Sequence, residues 1–348
     1  MLSADTKVAG ATATGVIDSA VGWKRVTEPV EQFLEAVTVR LADEVREFDS
    51  GLAAYAEYAL TGHGKQLRPA LLGLCAKATG GIKDSHVTAA VIVEMVHLAT
   101  LVHDDVMDEA EIRRGRLTLA ANWGNETAVL FGDCLFAQAL RLAASFPTPA
   151  VCRAVAAATK TVCSGEILQN HQRNMFDLAQ AEYLRVLQMK TGELFALACE
   201  LGAFLNDAPP ATQTALRKFG LALGTAYQLY DDCLDVFGSE AEAGKSLGTD
   251  LMKGKPTLPV LLFWERATAA ERNQLRALLG QWSAGTFDRV QAMLTTPQML
   301  RRAVQLLDKQ LKAACDALAA LPNGQTELVR LAGYLRRQAK TLCLRAVA

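Results

Sequence analysis

The chain reads as an all-α protein, one large helical bundle around a central apolar cavity. Three observations carry this expectation. Apolar residues recur at helical spacing through almost the whole length, Ala and Leu abound, and aromatics make up only 6% of the residues. Length alone, 348 residues, would suggest two domains. The periodicity runs on without a compositional break, so we expect 1–22 to be a mobile N-terminal arm and 23–348 a single helical domain. The opening stretch MLSADTKVAGATATGVIDSA lacks the basic start and long apolar centre of a signal peptide.

Taken in order, the spacing predicts helices over about Val30–Glu47 and Gly51–Leu60, then the turn TGHGKQLRP. Pro69 suits the first turn of the next helix, where its missing donor is not needed. Val87 to Asp108 is apolar almost all round and should be a central, buried helix. Helices follow over about Glu126–Ala144 and Ala150–Gln172, separated by the loop FPTPA. Tyr183–Leu205 is one helix interrupted at Lys190-Thr191-Gly192, where a Thr hydroxyl beside Gly favours a kink that frees backbone carbonyls. DAPPAT ends it, the next helix runs to Asp235, and a glycine-rich, lysine-containing loop, GSEAEAGKSLGTDLMKGKPTLP, comes after. From Pro259 the pattern is helical again, with turns at SAGT and PNGQ and no catalytic constellation.

Charge and cysteine usage narrow the function. With 36 basic and 37 acidic residues the net charge is −1, which gives no electrostatic case for nucleic acid. The eight cysteines stand singly, mostly in apolar helical stretches, as expected of reduced thiols in a cytoplasmic protein rather than a disulfide frame or zinc site. The longest apolar run, Val87 to Val102, carries Glu94 and His97 and falls short of an uncharged membrane span. The last helix is basic through Arg330, Arg336, Arg337, Lys340 and Arg345; a solvated face explains it, and peripheral contact with an acidic membrane is the alternative.

The chemistry concentrates in two stretches. In HLATLVHDDVMDEAEIRRG, Asp104 and Asp108 lie on one helix face, about 40° apart around the axis and roughly 6 Å apart along it. A solvated acidic helix end would also satisfy one such cluster. YQLYDDCLD repeats the spacing with Asp231, Asp232 and Asp235, 127 positions later, again closing an apolar run. The carboxylates of the first cluster, with no nearby cysteine, suit a hard divalent ion, and Mg2+ characteristically shares substrate phosphates. Arg113 and Arg114 are placed to hold anionic oxygens from the other side. Lys65 and Arg68, three residues apart at a helix start, are candidates for a second anion; this is not a Walker loop, since Gln66 follows Lys65. The loop carrying Lys245, Lys253 and Lys255 follows the second cluster at once and is suited to cover a polyanion. No nucleophile arrangement is visible, so covalent catalysis is not indicated.

These motifs, in the order GKQLRP, EMVHLATLVHDDVMD with RRG, KTGELF, YQLYDDCLD, GKSLGTD and GKPTLP, resemble the trans-isoprenyl diphosphate synthases, or polyprenyl synthetases. The likeness covers the chain from about Glu28. It implies the isoprenoid synthase fold and condensation of isopentenyl diphosphate with an allylic diphosphate. It further implies that Asp104 and Asp108 bind two Mg2+ ions and Asp231 a third, with Asp235 making a water-mediated metal contact. Asp105 and Asp232 point away. By the same resemblance Arg113, Lys190, Lys245 and Lys255 hold the allylic diphosphate; Lys65, Arg68, His97 and Arg114 hold isopentenyl diphosphate; Thr191 and Gln228 direct oxygen dipoles at the carbocation. It also implies a homodimer.

Product length depends on what lies below Asp104. In the family, bulky aromatics four and five positions before the first aspartate accompany short products; here those positions are Thr100 and Ala99, and DDVMD has no two-residue insertion. A product longer than geranylgeranyl is therefore expected, with Phe136 and Leu140 as candidates for the cavity floor; a geranylgeranyl or farnesyl synthase is the alternative. A class I terpene cyclase would not need Lys65, Arg68 and Arg114, a non-catalytic subunit would be expected to lose metal ligands, and a lipid carrier needs no paired acidic clusters.

Overall fold

The computed structural model describes residues 22–60, 64–240, 246–283, 285–321 and 324–346. Apart from Gly22, the expected N-terminal arm lies outside them, as does Lys245. Among the described residues the regular elements are helices joined by turns, save one two-stranded ribbon. The N-terminal helices are α1 (Glu31–Arg46), α2 (Ala53–Leu60), α3 (Leu67–Thr79) and α4 (Asp84–Met107). After the ribbon come α5 (Leu119–Trp123), α6 (Asn125–Ala144), α7 (Ala150–His171) and α8 (Gln180–Leu187), then α9 (Glu193–Phe204) and α10 (Pro210–Phe237). The C-terminal part holds α11 (Thr249–Met252), α12 (Leu258–Arg266), α13 (Ala269–Gly280), α14 (Thr286–Leu294), α15 (Pro297–Ala317) and α16 (Gln325–Arg345).

Helix α4 is central because its sequence leaves it nothing else to do. Apart from Glu94, residues Ala89 to Val96 are buried to 1% exposure or less, so α4 is clad on all sides, chiefly by α6, α1, α3 and α9. By length and composition α4 and α6 would both pass for membrane spans; 67% of the α4 window is buried in this core, against 44% for α6. Glycines let α9 and α10 approach closely: a Cβ on Gly220 would stand 2.4 Å from the Phe195 carbonyl oxygen, and one on Gly224 2.9 Å from the Gly192 Cα.

The interruption expected at Lys190-Thr191-Gly192 is real, and its form is a π-helical turn, Gln188–Gly192, between α8 and α9. The periodicity gave no warning of the ribbon. Strand β1 (Ile112–Arg113) pairs antiparallel with β2 (Arg116–Leu117), across a two-residue turn in which Arg114 and Gly115 take φ +52° and +72°. Positive φ at both central residues is the hairpin turn that matches strand twist. Tyr58 anchors the ribbon to α2: its hydroxyl donates to the Leu117 carbonyl at 2.7 Å and its ring lies under Arg116, 4.1 Å from the guanidinium carbon.

All eight cysteines are free. Cys75, Cys199, Cys233 and Cys343 are buried, and Cys163 is exposed.

Candidate active site

The C-terminal ends of α4 and α10, the C-terminal half of α7, the π-turn and the Lys255 segment surround one cavity of about 620 Å³. One end is crowded with charge. Asp104, Asp108 and Asp231 face it, together with Glu166 and Asp250. Lys190 stands among them, 3.8 Å from Asp104 and 2.5 Å from Glu166, and donates to Gln169 at 2.9 Å. Lys255 is buried; its Nζ donates to Asp108 at 2.7 Å and lies 3.2 Å from Asp250. Burial alone would lower both ammonium groups, but their carboxylate neighbours outweigh it and hold both above the ordinary lysine value. Burial raises Asp104 to about 6 against the pull of Lys190.

The donor set at this end fits a hard divalent cation, because Asp104, Asp108 and Asp231 offer only carboxylate oxygens. Among the described residues, no three metal-ligating side chains are already gathered around one point. Completing a coordination shell therefore calls for water and for anionic oxygens of a bound substrate, the mixture Mg2+ commonly takes.

Of the neighbouring aspartates Asp105 faces away from the cavity, whereas Asp232, expected to point away as well, reaches its wall. Asp105 is buried and receives Arg113 Nε at 2.7 Å. Asp232 accepts from Tyr183 Oη (2.5 Å), Gln228 Nε2 (3.1 Å) and the Leu258 backbone N–H (3.1 Å); burial lifts it to about 7. Asp235 departs from the expectation of a metal contact. It is fully buried and is not a cavity wall. Its carboxylate accepts from Thr249 Oγ1 at 3.2 Å and the Asp250 N–H at 3.3 Å, so it fixes the start of α11 and thereby Asp250.

A second polar region is cationic. Arg68, His97 and Arg114 line it, and Arg113, paired with Asp105, stands between it and the carboxylate end. The Arg68 guanidinium lies 4.9 Å from the centroid of the Phe195 ring, and its Nε is buried without a partner. Burial first, and then Arg68, Arg114 and Arg113, hold His97 well below its ordinary value, leaving a neutral imidazole. Glu94 stands behind them; burial raises it and the charges of Arg68 and Arg114 oppose the rise. Gly64 lets the chain pass close to Arg114, since a Cβ there would lie 2.6 Å from the guanidinium. Lys65 does not reach the walls. Gln66 takes φ +47° and α3 begins only at Leu67, so helical spacing from Arg68 does not carry back to Lys65.

Between the charged regions, Thr191 Oγ1 donates to Gln228 Oε1 at 2.8 Å, and Gln228 Nε2 donates to Asp231 and Asp232. The hydroxyl proton is thus committed, and what Thr191 offers the cavity is oxygen lone pairs. The remaining walls are largely apolar, with Leu101, Val106, Val129, Phe136, Val162 and Ile167 beside His103, Tyr227 and Thr257.

Among the proposed length determinants, Thr100 and Phe136 are walls, and Phe136 packs on His103 at 5.6 Å between ring centroids. Ala99 is fully buried in the core rather than at the wall, and Leu140, 41% exposed, faces outward. The family pattern that named Ala99 counts positions along the chain and does not say where the cavity begins. Several contributors were not singled out from sequence: Glu166 and Gln169, one turn apart near the end of α7, together with Tyr183, Tyr227, Asp250 and Arg173. For Glu166 and Gln169 the sequence signal was the polar pair in GEILQ, within an otherwise alanine-rich helix, while Tyr227 and Asp250 sit inside the stretches YQLYDDCLD and GKSLGTD.

Comparison with known proteins gives a consistent answer. Residues 49–296 match the family model described as polyprenyl synthetase. The chain is 35% identical over 269 residues to the octaprenyl diphosphate synthase of Haemophilus influenzae, spanning 77% of this chain and 82% of that protein. Among solved structures it resembles a polyprenyl synthase from Caulobacter crescentus complexed with calcium and isoprenyl diphosphate, with TM-score 0.86 and 34% identity, covering 90% of this chain and 97% of that one. A decaprenyl diphosphate synthase from Rhodobacter capsulatus gives TM-score 0.84 and 32% identity, over 91% and 99%.

Proposed function

From the premise that this chain belongs to the polyprenyl synthetase family and is a prenyltransferase, we propose that it condenses isopentenyl diphosphate with an allylic diphosphate to build an all-trans chain longer than geranylgeranyl. The observation that carries this is one cavity with two chemically different polar regions and an apolar remainder. A diphosphate to be expelled needs carboxylates, metal and lysines; a diphosphate to be retained needs only cations.

Mg2+, three ions when bound, would be held by Asp104, Asp108 and Asp231, where it supplies Lewis-acid stabilisation of the departing diphosphate. Lys190, Lys255 and Arg113 add fixed positive charge to the same oxygens, already oriented before the bond breaks. Arg68, Arg114 and the neutral N–H of His97 hold isopentenyl diphosphate, with Glu94 keeping the two arginines in place. The Thr191 and Gln228 oxygens face the electron-poor allylic carbon, which the isopentenyl double bond attacks. The proton lost from the adduct goes to the released diphosphate. Positioning in a dry cavity carries the rest. Because the product is again an allylic diphosphate, the cycle repeats until the tail meets Phe136.

Long-chain synthases among the similar proteins support the product class, as does the absence of an aromatic side chain at Thr100. The exposed apolar residues Leu130 (65%) and Leu140 (41%) on α6 support a homodimer through this face, which light scattering tests. The free thiols support a reducing, cytoplasmic setting. The deciding experiment supplies Mg2+, isopentenyl diphosphate and a short allylic starter to the purified protein, and measures diphosphate release and product mass. Successive five-carbon additions past twenty carbons are expected; a product that stops at or before twenty refutes the length, and no elongation refutes the reading.

A further inference from the structure

The turn that closes α7 lies outside every motif discussed so far, yet it touches both halves of the carboxylate–lysine end. Arg173 Nη2 donates to Asp108 Oδ1 at 3.2 Å, while Lys255 Nζ donates to the other oxygen, Oδ2, at 2.7 Å. Asp108 is therefore clasped between two cations from distant parts of the chain. The next residue, Asn174, takes φ +65°, and its backbone N–H donates to the Gly254 carbonyl at 2.7 Å. Gly254 itself sits at φ +68°, and a Cβ there would come within 2.2 Å of Asn174 Oδ1. The backbone on either side of Lys255 is held as well: Lys255 N–H donates to the Asp250 carbonyl and Thr257 N–H to the Lys255 carbonyl, both at 2.9 Å.

We propose that Arg173 and Asn174 form a latch that sets the position of Asp108 relative to Lys255, and so shapes the allylic-diphosphate end of the site. The inference rests on the prenyltransferase reading and deepens it. Two features point to a ligand-directed role. First, a single turn serves both contacts: the side chain of one residue holds Asp108 and the backbone of the next holds the Lys255 segment, so neither can shift alone. Second, the Arg173 Nε–H is buried and has no acceptor. A buried donor left unpaired is costly, and the turn bears that cost while keeping Arg173 Nη2 on the cavity-lining Asp108. Arg173 is a positioning residue in this scheme, acting through Asp108 and the Lys255 segment. Asn174 is suited to the turn because asparagine enters the left-handed region more readily than other residues with a side chain.

The test uses the full chain with Arg173→Met, Arg173→Lys, Asn174→Gly and Asn174→Val. Arg173→Met should raise the KM for the allylic diphosphate about tenfold and leave the KM for isopentenyl diphosphate unchanged. Binding of a non-ionisable allylic thiolodiphosphate, measured by calorimetry, should weaken by the same factor. Arg173→Lys should recover most of the loss. Asn174→Val should speed amide exchange at Gly254 and Lys255, whereas Asn174→Gly should not. If Arg173→Met does not fold, the Arg173→Lys and Asn174 pairs still decide. An unchanged allylic KM, an equal rise in both KM values, or exchange that ignores Asn174 overturns the latch while a wild type that elongates keeps the function. A wild type that neither binds the thiolodiphosphate nor elongates overturns both.

Discussion

Replacing Lys255 by Met asks the most of the proposed chemistry. The ammonium lies 2.7 Å from Asp108 and 3.2 Å from Asp250. At an effective dielectric of about 20, these pairs are worth about 6 and about 5 kcal/mol gross. Desolvation of a buried charge takes back much of that, and breaking such a pair costs about 3–5 kcal/mol where no other cation remains. Here Arg173 still holds Asp108, so the folding loss should fall at or below the lower end, about 3 kcal/mol. Catalysis loses one of the three fixed charges proposed for the leaving diphosphate, and Lys190 and Arg113 do not move to take its place. Loss of one preorganised donor costs about 10²–10³ in kcat. We therefore expect Lys255→Met to remain folded by circular dichroism, to lower kcat for diphosphate release about 10²–10³-fold, and to leave the KM for isopentenyl diphosphate unaltered. A folded variant with kcat within about threefold of wild type, well short of that loss, would show that Lys255 only closes the structure. An equal rise in both KM values would show that the two polar regions are not separate.

Three further outcomes follow from features of the fold. Thr100→Phe, which puts an aromatic ring on the cavity wall, should shorten the product, and Phe136→Ala should lengthen it; unaltered product masses would move the floor to another helix. Ala99→Phe should instead act on stability, by about 1–3 kcal/mol of overpacking, read by chemical denaturation; a shorter product without destabilisation would return Ala99 to the wall. Buried His86 accepts from the Lys83 N–H at 3.0 Å and faces the Gly202 carbonyl at 3.3 Å, and burial depresses its pKa. The unfolded chain binds a proton that the folded one resists, so stability is full above about pH 6.5 and falls below it, by at most about 1.4 kcal/mol per pH unit. Denaturation at pH 7.5 and 5.5 should show a smaller loss in His86→Gln than in wild type, and equal losses would refute the assignment.

Much of the fold was legible because the helices are long and periodic. Helix α4 was expected over Val87–Asp108 and spans Asp84–Met107, and the one-face pairing of Asp104 with Asp108 followed from that register. What escaped depends on contacts between elements. Spacing along α4 could not tell Thr100, at the wall, from Ala99, one position away in the core. Lys65 stands off the helix that carries Arg68 because a single left-handed residue, Gln66, separates them, a break that spacing does not show. The ribbon at Ile112–Leu117 is too short to show alternation, and Arg114-Gly115 is a weak turn signal. Glu166, Tyr183 and Asp250 gain meaning only through the partners that folding brings to them.

The π-turn at Gln188–Gly192 makes this part of the gene sensitive to length rather than to spelling. A substitution there alters one side chain. Removal of a single residue would instead let the turn relax into regular α-helix and rotate α8 about 100° against α9. Tyr183, Val186 and Leu187, all buried on α8, would be turned out of the core, and Asp232 would lose the hydroxyl that covers it. Related chains able to place Lys190 and Thr191 on the same cavity are therefore expected to keep the residue count of this segment even where its letters differ.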